Sequence, residues 1–189
     1  IMEIILGSAS PRRKELLKQM GFDFRILISD VEEVYDPSTP PEDVASVLAK
    51  LKAQFLKNKL GPRQLLICCD TTVILNNEVL GKPESTNEAK NTLRSLSGKR
   101  HEVISAVCMV YGDKTIEFKD STIIEFKTLN EGEIEYYINE YQPFDKAGSY
   151  GIQEWIGHIG ISKIEGSYTN VMGLPTQLLY KEMEKLRSV

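Results

Sequence analysis

A chain of 189 residues, 41% hydrophobic and 26% charged, can bury one globular core or two lobes that share one, and the whole span 1–189 reads as a single domain. The formal net charge of −4 gives no global electrostatic support for binding nucleic acid, so any anion site must be local. No signal-peptide pattern or apolar stretch of membrane-spanning length appears, so the cytoplasm is the expected compartment, and a membrane partner, lacking basic or amphipathic support, is not expected.

Ile1, ahead of Met2, reads as an added residue. Ile4 to Leu6 predict a strand and Gly7 to Ser10 a tight loop. A helix follows with Ser10 as N-cap and Pro11 at its first position, burying Leu16, Leu17 and Met20 and ending at Gly21. After an extended stretch, "FRILISDVEEV", Thr39 and Glu42 suggest a capping box around Pro40, and Val44, Leu48, Leu51 and Phe55 trace a helical stripe. "QLLICCDTTVIL" reads as a central strand and "NNEVLGKP" as a turn, a short strand and a stop. Ser85 and Glu88 form a second capping box for a helix reaching Leu96. Strands are expected over Val103 to Tyr111 and Thr115 to Phe126, joined at "GDK". A helix from Glu131 to Tyr141, a glycine-rich loop "PFDKAGSYGIQ", a strand in "IGISKIEG" and a helix beginning near Pro175 complete an α/β pattern. Cys68, Cys69 and Cys108 lack metal-ligand spacing and lie in apolar runs, as buried thiols of a reducing compartment do.

The chemistry narrows by exclusion. His101 and His158 lie far apart and outside HExxH spacing; neither G-x-S-x-G nor the G-x-x-x-x-G-K-[ST] phosphate loop occurs. Arg12 and Arg13 fall in the first turn of a helix, where the dipole disfavours each cation by about 0.3–1 kcal/mol, and an anion would relieve the conflict. Asp70 stands inside an apolar run, either as a strand-end acceptor of backbone or threonine hydrogen bonds or as a carboxylate compensated by a cation or metal. Lys82, between Gly81 and Pro83, Lys52, at the edge of its helix's apolar stripe, and the acidic Asp30, Glu32 and Glu33 each read, taken singly, first as solvated side chains and only second as parts of a charged site.

Taken together, "SASPRR", "SDVEE", "LAKLKA", "CDTTV", "GKP", "LSGKRHEV", "FDKAGSYGIQ" and "IEGSYTNVMGLP" occur in the order and spacing of the Maf family of nucleoside triphosphate pyrophosphatases, which the chain resembles from about residue 4 to residue 186. "DKAGSYGIQ" is similar to the branch that hydrolyses dTTP and UTP. Glu154-Trp155 departs from the glycine-rich residues of many relatives and is expected to alter the pocket rim without touching a motif residue.

The resemblance implies an α/β fold of two lobes around a long mixed β-sheet with flanking helices, similar to the inosine triphosphatases, with the substrate cleft between lobes. It implies Asp70 as catalytic base or, as the alternative, chiefly as a metal ligand, Ser8, Arg12, Arg13, Lys52 and Lys82 as phosphate-binding groups, and Glu33, rather than Glu32, near a divalent Mg²⁺ or Mn²⁺. Thr71 and Gln153, with an arginine of "SPRR", match positions tied to base choice. The reaction implied is hydrolysis of dTTP and UTP, or of modified pyrimidine nucleotides, to the monophosphate and pyrophosphate, by a protein that forms a homodimer. The alternative is a nucleotide-binding regulator of cell division that senses without hydrolysing. Asp70 discriminates between them, because a sensor gains nothing from a carboxylate facing a triphosphate.

Overall fold

The structure, a computed structural model, describes residues 2–187; Ile1, read above as an added residue, lies outside them. In chain order the elements are β1 (Glu3–Leu6), α1 (Pro11–Gln19), β2 (Phe24–Ile26), α2 (Pro41–Leu56), β3 (Gln64–Leu75), β4 (Glu78–Leu80), α3 (Thr86–Leu96), β5 (Arg100–Tyr111), β6 (Lys114–Phe126), α4 (Glu131–Tyr141), α5 (Trp155–Gly160), β7 (Ile161–Glu165), α6 (Tyr168–Met172) and α7 (Thr176–Arg187). No helix among the described residues is long and apolar enough to cross a membrane.

Local chemistry explains most boundaries. Ser10 Oγ accepts from the Arg13 N–H at 3.4 Å, and Pro11 occupies the first turn of α1, where its missing N–H costs nothing. α2 departs from expectation at its start and on its face. Its N-cap is Pro40, with no side-chain cap, because Pro41 at the first helical position has no N–H to satisfy and Thr39 lies one residue too far out. Its buried face runs through Val44, Ala45, Leu48, Ala49, Lys52, Ala53 and Leu56, while Phe55 is 39% exposed. The alanines let the helix backbone approach the core, so the buried stripe is rotated from the one that large apolar residues mark. In α3, Ser85 Oγ caps the Glu88 N–H at 3.1 Å, but the Glu88 carboxylate accepts from Glu84 N at 2.9 Å instead of closing the box. In α4 both arms of a capping box form between Asn130 and Glu133.

The strands form a seven-stranded mixed sheet in the order β2-β1-β3-β5-β6-β7, with β4 paired to β3. β1 is parallel to β2 and β3, whereas β3–β4 and β6–β7 are antiparallel. β3 is buried nearly throughout, as expected of a strand covered on both faces, and this is why it reads as a continuous apolar run interrupted only at Asp70, Thr71 and Thr72.

The chain divides into two compact units, one comprising residues up to Asp70, Ser105–Asp120 and from Gly173 onward, the other Thr71–Ile104 and Ser121–Met172. β3, β5 and β6 each contribute to both. The core of the first unit draws on Leu6, Leu17, Leu56, Leu65, Leu66 and Ile67, all fully buried; a side chain of this size contributes roughly 1.5–3 kcal/mol on burial. The second unit is built on Leu93, Leu96, Ile124, Phe126, Tyr137 and Ile156. There Thr122 Oγ1 accepts from Ser167 N at 3.0 Å and Asn170 Nδ2 at 2.8 Å, and Asn170 Nδ2 also reaches Val103 O at 3.1 Å. These bonds satisfy the buried polar groups of the "GSYTN" segment and fix its path.

Candidate active site

β1 delivers the chain into the loop that opens α1. The Gly7 N–H donates to Ile67 O at 2.8 Å, and a Cβ at Gly7 would overlap Cys68 Sγ and stand 3.1 Å from Leu56 Cδ1. Only glycine lets the backbone pass this close to β3 and α2. Ser8 follows, its side-chain oxygen accepting from Ser10 N at 3.2 Å and from Arg13 Nη1 at 3.3 Å. Arg13 Nε donates to Gly173 O at 2.8 Å, and the same carbonyl accepts from Cys69 Sγ at 3.1 Å. Arg12 precedes Arg13 in the first turn of α1, half-buried.

Asp70, only 8% exposed, accepts from Lys52 Nζ at 2.8 Å, and Lys52 reaches Glu33 at 3.2 Å. Lys52 therefore lies on the buried face of α2 and joins the two carboxylates. Of the acidic cluster, it is Glu33 whose side chain meets the lysine. Burial pushes the Asp70 carboxyl above the usual carboxylate range, opposed by the charges of Lys52 and Arg13 and the hydrogen bond from Lys52. The first unit thus brings together Ser8, Arg13, Lys52, Glu33 and Asp70.

Thr71, Lys82 and Gln153 belong to the second unit. Thr71 continues β3, next to Thr72, whose Oγ1 is buried without a hydrogen-bond partner among the described residues. Lys82 is exposed in the irregular segment after β4. The Gly148 N–H donates to Gly81 O at 3.2 Å and ties that segment to the loop carrying Gln153. Gln153 Oε1 is enclosed with no hydrogen-bond partner among the described residues. An acceptor left in this state costs about 1–3 kcal/mol, which a ligand N–H would recover. In the same loop, the Tyr150 hydroxyl lies 2.6 Å from His101 Nε2, and burial pushes the His101 imidazole down to about 4. Glu154 corrects an expectation. The chain turns into α5 at this residue and carries its side chain back over the loop, where it pairs with Lys146 at 3.1 Å, a residue of the motif.

Among the described residues, no group of three or more His, Cys, Asp or Glu is gathered as a ready-made metal cage. Glu33 and Asp70 nevertheless suit a hard cation, because Mg²⁺ is commonly bound through one or two carboxylates plus substrate phosphates. Sequence reasoning assigned no individual role to Gly173 or Cys69. Gly173 enters the site through its carbonyl, a group with no side-chain signature. Cys69 reads simply as a buried thiol beside Asp70.

The Maf-like protein family matches residues 3–186. A dTTP/UTP pyrophosphatase of Porphyromonas gingivalis is 46% identical over 187 residues, covering 96% of this chain and 93% of the relative. Another of that description from Bacteroides thetaiotaomicron is 45% identical over 185 residues, covering 97% and 96%. Among solved structures, the Ham1 protein of Staphylococcus aureus is similar at 19% identity and a TM-score of 0.44, covering 66% of this chain and 71% of that one.

Proposed function

This chain belongs to the Maf-like family, and from that premise we propose that it hydrolyses nucleoside triphosphates, dTTP and UTP foremost, to the nucleoside monophosphate and pyrophosphate. The observation that carries the reading is Asp70, a buried carboxylate held by Lys52, with its proton affinity raised by desolvation. Such a group is a stronger base than a surface aspartate. A sensor that only bound a triphosphate would have no use for it.

A nucleoside triphosphate carries about four negative charges, which the site must neutralise before a nucleophile can approach phosphorus. Ser8, Arg12 and Arg13 at the N-terminus of α1, with Lys52 and Lys82, supply donors and positive charge for the phosphates. The opening helix thereby keeps its arginines where its dipole alone would disfavour them. Asp70 accepts a proton from the water whose oxygen bonds to the α-phosphorus. The bond from that phosphorus to the bridging oxygen breaks, and pyrophosphate leaves with the electron pair. Glu33 and Asp70 are the residues that would hold Mg²⁺ or Mn²⁺, which when bound supplies further charge neutralisation on phosphate oxygens.

Base choice falls to Thr71 and Gln153. Uracil and thymine present two carbonyl acceptors and a ring N–H, and the Gln153 amide can serve both kinds of group. Its Oε1, without a hydrogen-bond partner among the described residues, supports an acceptor role toward the ring N–H.

The test is a panel of canonical and modified triphosphates assayed for pyrophosphate release, with Mg²⁺ and with a chelator. Release from UTP and dTTP well above CTP and the purines, abolished by the chelator, is expected. Release of orthophosphate with a diphosphate product, or no pyrimidine preference, overturns the proposal.

A further inference from the structure

Residues 146–154 are pinned from both ends by one network. Lys146, with a side chain only 9% exposed, pairs with Asp145 at 2.8 Å and with Glu154 at 3.1 Å, the latter 19% exposed. The second oxygen of Glu154 accepts from the hydroxyl of Tyr137, a fully buried residue of α4. That hydroxyl in turn accepts from the Gly151 N–H at 3.0 Å. The network closes tightly over the loop, since a Cβ on Gly151 would come within 3.1 Å of both Glu154 Cδ and Lys146 Cε. Inside it, Ser149 is held at φ +60°, a conformation that non-glycine residues keep only when their surroundings enforce it.

We propose that Glu154 is a positioning residue for base selection: by joining Lys146 to Tyr137 it holds Gln153 with its carbonyl oxygen enclosed and ready to accept. The proposal rests on Gln153 reading the base. An amide oxygen buried with no partner among the described residues gains by turning toward water, so something must prevent that rotation. The covalent neighbour of Gln153 is anchored by an ion pair and a buried hydroxyl, and this fixes the backbone from which the amide projects. Recognition then carries little ordering cost when a uracil or thymine arrives, whereas a loose loop would adapt to cytosine as well.

Trp155, the only tryptophan of the chain, adjoins Glu154 and packs 4.7 Å from Tyr136. Its fluorescence can therefore follow binding of non-hydrolysable UTP and CTP analogues to the full-length protein. In Glu154→Ala the ratio of the two affinities should fall by about fivefold or more, because preorganisation for one base is lost. Amide exchange across residues 147–153 should accelerate. Glu154→Gln keeps the shape and an acceptor for Tyr137 while losing the charge toward Lys146, and should lower the ratio by about twofold. A folded Glu154→Ala that melts earlier but keeps the wild-type ratio, while Gln153→Ala collapses it, overturns the proposal and leaves the base-reading role of Gln153 intact. If Gln153→Ala itself preserves the ratio, the base-reading premise fails and the proposal with it. Should Glu154→Ala not fold, Glu154→Gln decides alone, and an unchanged ratio in that variant overturns the proposal.

Discussion

Replacing Asp70 by asparagine separates the catalytic role proposed for this carboxylate from what it costs the fold. Asparagine keeps the shape and leaves an oxygen where Oδ1 accepts from Lys52 at 2.8 Å, so the change removes a charge and a base without opening a cavity. Loss of a general base lowers turnover by about 10²–10⁴-fold, on the order of 3–5 kcal/mol of barrier. Stability should move the other way. Burial raises the Asp70 carboxyl above its ordinary range, by more than Lys52 and Arg13 lower it. The folded chain then binds this proton more tightly than the unfolded chain. The contribution is full below the unfolded value of 3.8 and is lost as pH rises through the folded value. At neutral pH the wild type bears the cost of a buried charge that Asp70→Asn lacks. The variant should melt at or above the wild type there, with the advantage closing as pH falls toward the ordinary carboxylate range. Steady-state pyrophosphate release at saturating UTP and thermal melts across pH measure both halves. Turnover within tenfold of wild type refutes the base role, and a melting point several degrees lower at neutral pH refutes the claim that desolvation outweighs the ion pair.

Arg13→Lys has one nitrogen where Arg13 uses Nε on Gly173 O and Nη1 on Ser8, so it cannot hold both contacts and still meet a phosphate. Its kcat/KM for UTP should fall by about tenfold or more with KM rising; near-normal kinetics would show that the fork is dispensable. His101, pushed from 6.5 to about 4 by burial, favours the fold in its neutral form. Its contribution is full above the unfolded value and is lost as pH falls from 6.5 to about 4, on the order of 3 kcal/mol. Melts of His101→Gln should be flatter with pH over that window, and a slope equal to wild type contradicts the assignment.

What the sequence discloses follows from where the physical signal is local. β3 stands out because burial on both faces demands an unbroken apolar run, and Asp70 is conspicuous within it for the same reason. α4 has the bounds expected of it, helped by an Asn130–Glu133 cap that satisfies its first turn. α5 was hidden in a segment expected to lead into a strand. "WIGHIG" holds two glycines and two isoleucines, and Gly157 is tolerated because the helix packs so close to the Ile152 carbonyl that a Cβ would overlap it. That is a tertiary demand, not a local propensity. α6, with five residues, is too short to carry a period. Within the site, charged residues in unusual places could be picked out singly, but their pairing could not. That Lys52 lies between Glu33 and Asp70 depends on the alanines of α2, which turn the lysine inward. The carbonyl of Gly173, shared by Arg13 and Cys69, is a backbone contribution that no residue type announces.

Attack of water on the α-phosphorus is tested by running a single turnover of UTP in isotopically labelled water and weighing both products. One labelled oxygen is expected in the nucleoside monophosphate and none in pyrophosphate. Label in pyrophosphate, or a labelled orthophosphate beside a nucleoside diphosphate, would contradict it.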